Sequence, residues 1–179
     1  MFKARSTVLL VIDVQGKLAS LMHERDRVVK NIQVTIQAAQ ILDIPILWTE
    51  QVPEKIGETI PEIASHLHYL KPLKKTAFSC CKDEGFLAAL KKLKRQHVVV
   101  VGIETHVCVY QTVADLLELK YEVQVVADAV SSRTEQNKKY GLKRMEQIGA
   151  GITCTEMIAC ELLEKAEGPN FKEVLKLIK

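Results

Sequence analysis

Four consecutive valines, Val98–Val101, follow His97 and end at Gly102. As a strand this run has no polar face, so both of its sides must be covered. A central strand of a parallel sheet with helices on both faces meets that demand. Thr7–Val14 is a second run of the same kind, apolar on both faces until Asp13. Shorter β-branched runs follow at Ile46–Thr49, Val123–Ala127 and Ile152–Thr153. Between them lie segments with helical spacing: Asp26–Leu42, Gly85–Arg95, Thr105–Leu119, Glu135–Ile148, Glu156–Lys165 and Asn170–Lys179. Strand–helix units of this length need right-handed crossovers. The fold class is therefore α/β: a three-layer α/β/α arrangement around a doubly wound, mostly parallel sheet. Glu50–Thr76 breaks the alternation, with three prolines and a glycine and a single helical turn predicted near Ile60–His66. It reads as an excursion that serves as a lid or a subunit contact.

The chain has 179 residues, a length suited to one domain, and no linker or repeat divides it, so residues 1–179 are read as a single domain. A formal charge of +3 on scattered lysines and an aromatic content of 5% do not build a phosphate-tracking groove with stacking platforms. Nucleic acid is therefore not an expected partner. No apolar run approaches the ~20 residues that span a bilayer, so no membrane partner is expected. Five cysteines, an odd number without paired metal-ligand spacing, read as free thiols in a reducing compartment. Lys3 and Arg5 lead straight into the first strand with no leader-like pattern, so the expected location is cytoplasmic, with an organellar one left open.

In open parallel sheets the ligand crevice lies beyond the carboxyl ends of the strands. Asp13 ends the first strand, Glu50 follows the second, Cys108 lies six residues past Gly102, and Asp128 ends the fourth strand. All four are predicted on one rim. Asp13 sits in apolar surroundings, where a carboxylate either caps a nearby loop or works as a general base. Cys108 lies at a helix start, where the dipole favours the thiolate, although a free cysteine often only packs. Lys75 belongs to a run with Lys71 and Lys74, and such runs are commonly solvated. His106, two residues before Cys108, is placed at the pocket edge and not as a base.

These segments together resemble the isochorismatase-like cysteine hydrolase superfamily, which includes nicotinamidases and N-carbamoylsarcosine amidohydrolases. Leu9-Leu10-Val11-Ile12-Asp13-Val14-Gln15 resembles its first-strand aspartate motif, and Lys75-Thr76-Ala77-Phe78-Ser79 its lysine motif. Gly102-Ile103-Glu104-Thr105-His106-Val107-Cys108-Val109 resembles its cysteine motif, and Asp128–Arg133 the segment after the fourth strand. Thr49-Glu50-Gln51-Val52-Pro53 is similar to the metal-independent branch of isochorismatase domain-containing proteins. Nicotinamidases carry an Asp-x-His metal motif in that region, so neither a metal nor any other cofactor is expected.

The resemblance implies that Cys108 is a nucleophile, Asp13 its base and Lys75 their electrostatic partner. It implies an oxyanion hole from the N–H groups of Cys108 and Glu104, with a cis peptide between Ile103 and Glu104. The substrate would be a small amide-type molecule, hydrolysed through a thioester. Gln15, Leu18, Trp48, Gln51, Phe78 and His106 are the candidates for contacting it. Two alternatives stand beside this reading: vinyl-ether hydrolysis of the isochorismatase type, and an oligomeric interaction protein with a vestigial triad. The family habit favours a homo-oligomer, a dimer or tetramer.

Overall fold

A computed structural model describes residues 1–179. Its sheet contains β1 (Thr7–Ile12), β2 (Ile46–Gln51), β3 (Leu73–Lys75), β4 (His97–Ile103), β5 (Glu122–Ser131) and β6 (Gly151–Thr153). Side by side the strands run β3-β2-β1-β4-β5-β6, every neighbouring pair parallel. From β1 the chain moves outward through β2 to β3, then returns to lay β4 against the other side of β1. The order reverses between β1 and β4, and there the loops diverge and open a crevice. The helices are α1 (Gly16–Ser20), α2 (Arg25–Ile41), α3 (Pro53–Ile56), α4 (Pro61–Ala64), α5 (Glu84–Lys92), α6 (Tyr110–Glu118), α7 (Glu135–Gln147), α8 (Thr155–Leu163) and α9 (Pro169–Ile178).

The period of two along each central strand divides the core into two layers. Leu9, Val11, Val99 and Val101 join Ile32 and Ile36 of α2 and Ile158 of α8. Val8, Leu10, Ile12, Val98 and Val100 join Phe86 and Leu90 of α5, Val113 and Leu116 of α6 and Met145 of α7. Every residue of β1 is buried, as a strand covered on both faces requires. Two helix starts hold their first turns with a side chain: Asp83 accepts from the Phe86 N–H at 2.8 Å, and Thr134 from that of Asn137 at 3.2 Å.

Gly102 shows why the two central strands can close on each other at the crevice. Its φ is +121°, and a Cβ there would lie 2.1 Å from the Ile12 carbonyl oxygen and 2.6 Å from the Ile12 nitrogen. Only glycine allows both that conformation and that approach.

Three elements differ from the sequence reading. The Glu50–Thr76 excursion contains two short helices and a sixth strand, β3, whose three residues pair with β2 and place Lys75 beside Gln51. So short an edge strand shows no readable alternation, and two of its residues are lysines. β5 runs on to Ser131, past the expected end at Ala127, by means of a register shift opposite Val100–Gly102. Regular α-helix begins only at Tyr110, because Thr105–Val109 forms a wider π-type turn. Gly141 of α7 packs on this turn: a Cβ at that position would lie 2.8 Å from the Thr105 oxygen.

Candidate active site

Asp13 leaves β1 in the left-handed region, φ +51°, a conformation that aspartate tolerates better than most residues. Its carboxylate is almost fully buried and has two partners. Oδ1 accepts from Thr49 Oγ1 at 2.7 Å, and Oδ2 accepts from Lys75 Nζ at 2.6 Å. Thr49 is the register partner of Ile12 on the neighbouring strand, which brings its hydroxyl to the turn. Lys75 is buried and also donates toward Ala77 O and Phe78 O, both at 3.1 Å, and Gln51 Oε1 at 3.2 Å. Its three N–H groups therefore face four acceptors. Lys71 and Lys74 are exposed; Lys75 alone turns inward.

Cys108 sits inside the π-type turn, where Val109 N donates to Glu104 O at 3.2 Å and Val107 N shares that carbonyl at 3.0 Å. The thiol donates to Gln51 Oε1 at 3.1 Å. Burial pushes the Cys108 thiol up, the neighbouring Asp13 carboxylate pushes it further, and Lys75 opposes them. This corrects the expectation that a helix start would favour the thiolate. In the resting site burial and the Asp13 carboxylate disfavour the thiolate, and Lys75 favours it. Cys80 and Cys81, also buried, are raised by burial to about 11 and about 12. They pack beneath the site without reaching its cavity.

Gln51 is itself held from behind. Gln15, fully buried, accepts from Gln51 N at 2.7 Å and donates to Gln51 O at 3.2 Å and to Gly57 O at 2.6 Å. The Gln15 amide thus acts as a bridge between the end of β2 and the loop at Gly57. The Ile103–Glu104 peptide is cis. The Glu104 N–H has no acceptor within the chain. The Glu104 carboxylate, 8% exposed, receives the Arg133 N–H at 3.0 Å and Arg133 Nε at 3.1 Å, both on Oε2.

These groups surround a cavity of about 110 Å³. Asp13, Gln15, Leu18, Gln51, Phe78, Ile103, Glu104 and Cys108 line it, and Ile56 and Val107 complete its apolar wall. Phe78, 52% exposed, stands at the mouth. Lys75 lies behind Asp13 and is not part of the wall.

Four sequence expectations are placed elsewhere. Trp48 faces the α2 side of the sheet and is buried in its core, because strand alternation turns it away from the crevice. His106 lies outside the cavity wall, its Nδ1 2.9 Å from Ser132 Oγ. Glu50 Oε1 accepts from Thr59 N and Oγ1 at 2.7 and 2.8 Å and fixes the loop before α4. Asp128 Oδ1 accepts from Thr155 N and Oγ1, each at 2.8 Å, and holds the start of α8. Neither carboxylate lines the cavity. Sequence reasoning missed Thr49, Ile56, Val107 and the pairing of Arg133 with Glu104. Only the register of β1 with β2 shows the role of Thr49. No three His, Cys, Asp or Glu side chains converge in a way that would hold a metal ion.

Comparison with known proteins places the chain in a family. Residues 7–157 match the isochorismatase domain. The chain is 39% identical to isochorismatase domain-containing protein 2 of Danio rerio, over 97% of this chain and 87% of that protein. It is 38% identical to the secreted isochorismatase effector Isc1 of Phytophthora sojae, over 97% and 85% of the two chains. Among solved structures, the MAR1 ribonuclease of Caenorhabditis elegans superposes with a TM-score of 0.92 at 40% identity, covering 99% of this chain and 91% of that one. By its fold, its strand-end residues and this match over most of its length, the chain belongs to the isochorismatase family.

Proposed function

We propose that this single-domain protein is a cysteine hydrolase of a small amide-type substrate, with Cys108, Asp13 and Lys75 as its catalytic set. The carrying observation is the thiol at the wall of a small, mostly apolar cavity, next to a carboxylate that a buried ammonium holds in place. Asp13 takes the Cys108 proton as the sulfur attacks the carbonyl carbon. The carbonyl oxygen becomes an oxyanion, held by the unpartnered Glu104 N–H and the N–H of Cys108. Collapse expels the amine, which leaves with the proton from Asp13, and a thioester remains on Cys108. Water then gives a proton to Asp13 and attacks the thioester; the acid leaves and the thiol is restored. Lys75 holds the Asp13 carboxyl in place through the 2.6 Å contact while that group takes up and returns the proton.

Two other chemistries are less well served. Vinyl-ether hydrolysis of isochorismate needs cationic partners for two carboxylates, and no free cation lines this cavity. One relative carries the name ribonuclease, but a phosphodiester would meet the same lack, since Lys75 is already saturated with acceptors. We also propose a homo-oligomer, a dimer or tetramer, from the exposed Leu21, Tyr69, Phe78 and Met157. The decisive experiment is a screen of small amides for ammonia release with wild type and Cys108→Ala. Turnover lost in the variant, with a substrate-derived mass added to Cys108 in the wild type, is the expected result. Undiminished turnover in Cys108→Ala overturns the proposal.

A further inference from the structure

The hydrogen bond of the Cys108 thiol goes to Gln51, a residue to which the mechanism above gives no task. Gln51 Oε1 accepts from Cys108 Sγ at 3.1 Å and from Lys75 Nζ at 3.2 Å, so both of its lone pairs are used. Lys75 decides which way this amide faces. An ammonium can only donate, so the amide oxygen turns to it and not the –NH2, and the same oxygen then faces the sulfur. Nε2 points elsewhere, toward Thr76 O at 3.5 Å. The backbone beneath is clamped by Gln15, which bonds both Gln51 N and Gln51 O, and by Val52 N, which donates to Lys75 O at 3.0 Å. Asp13 also stands beside the thiol, but its two oxygens already accept from Thr49 and Lys75.

We propose that Gln51 is a positioning residue that parks the nucleophile: in the empty site it holds the Cys108 S–H on its own amide oxygen instead of on Asp13. The inference rests on the reading of Cys108 as nucleophile and Asp13 as base, and gives that pair a resting state. An amide oxygen fixed in this direction stabilises the neutral thiol by accepting its proton. It has nothing to donate to a thiolate, whose lone pairs would face its own. Proton transfer to Asp13 therefore requires the S–H to rotate off Gln51 about the Cβ–Sγ bond. A side chain of the same length that cannot accept leaves Asp13 as the partner of the thiol, and a nucleophile already aligned with its base reacts faster. A carboxylate at the same point keeps the acceptor and sets a negative charge against the sulfur, which disfavours the thiolate further.

Alkylation of Cys108 by iodoacetamide between pH 7 and 9 tests this without any turnover. Rates are read by peptide mass spectrometry in wild type, Gln51→Met and Gln51→Glu, with the exposed Cys160 of the same molecule as reference. Gln51→Met is expected to raise the relative rate at Cys108 by about three- to tenfold at each pH, the worth of one hydrogen bond, and Gln51→Glu to lower it by about threefold or more. Lost packing or a wider mouth would speed both variants, so opposite signs separate the parked thiol from a structural role. The Raman S–H stretch of Cys108, isolated as a difference against Cys108→Ala, reports the bond itself and is expected to move in Gln51→Met. Rates that change in the same direction, or that both stay within about twofold of wild type, overturn the proposal. So does an S–H band that Gln51→Met leaves in place. If Gln51→Met does not fold, Gln51→Glu still decides, since a rate equal to or above that of wild type overturns the proposal. An amide screen without turnover would overturn the hydrolase reading and leave these rates intact, so the two failures are distinguishable.

Discussion

Replacing Lys75 by methionine removes one half of a buried ion pair while keeping the length of the side chain. Both side chains are almost wholly buried, and the 2.6 Å contact is the only charged partner of Asp13. In Lys75→Met the Asp13 carboxylate keeps the Thr49 hydroxyl alone. Stranding one member of a buried pair costs about 3–5 kcal/mol. For 179 residues the unfolding entropy is about 0.4 kcal/mol per kelvin, so the melting temperature should fall by about 8–13 °C. Asp13→Asn should cost less. It strands an ammonium that retains three carbonyl-type acceptors, on Gln51, Ala77 and Phe78. The double variant leaves no buried charge and should be more stable than the sum of the single losses by about 2–3 kcal/mol. Thermal melts of the four proteins at pH 7, followed by circular dichroism and calorimetry, measure the whole cycle. A Lys75→Met melt within about 2 °C of wild type would refute the reasoning, as would strictly additive single variants.

Stability should decline at alkaline pH. Cys80 and Cys81 titrate near 11 and 12 in the fold against about 8.5 unfolded, so their contribution is complete below pH 8 and is lost as pH rises through the folded values. The melting temperature is expected to fall between pH 9 and 11, more steeply in wild type than in Cys81→Ala; equal slopes would contradict this. Asp128→Ala removes two hydrogen bonds that hold the start of α8 and should cost about 0.5–2 kcal/mol while leaving Cys108 alkylation unchanged. A changed alkylation rate would return Asp128 to the site.

The two-sided apolar runs at Thr7–Ile12 and Val98–Val101 made the α/β/α architecture readable, because a strand without a polar face has few ways to be buried. Asp13 and Cys108 were readable for a related reason. Each lies where such a strand stops, and the strands of a parallel sheet all stop on one side. Trp48 failed as a pocket residue because that rule says which end of a strand matters and not which face a given residue takes. Glu50 and Asp128 failed because a carboxylate near a strand end serves a neighbouring turn or helix as readily as a ligand.

Lys75 marks the boundary between the two kinds of knowledge. By charge alone it is one of three neighbouring lysines, and only the resemblance of Lys75-Thr76-Ala77-Phe78-Ser79 to a family motif sets it apart. Pairing of β3 with β2 sets it opposite Gln51, and burial beside Asp13 then gives it a role that Lys71 and Lys74 do not share. The same holds for Thr49 on Asp13, Gln51 on Cys108 and Arg133 on Glu104. Hydrophobic patterning is local and repeats along the chain, so the sheet, its two layers and its working edge are written in residue order. Ion pairs and hydrogen bonds between residues distant in the chain depend on register and on the removal of water, and these come into being only once the strands are assembled.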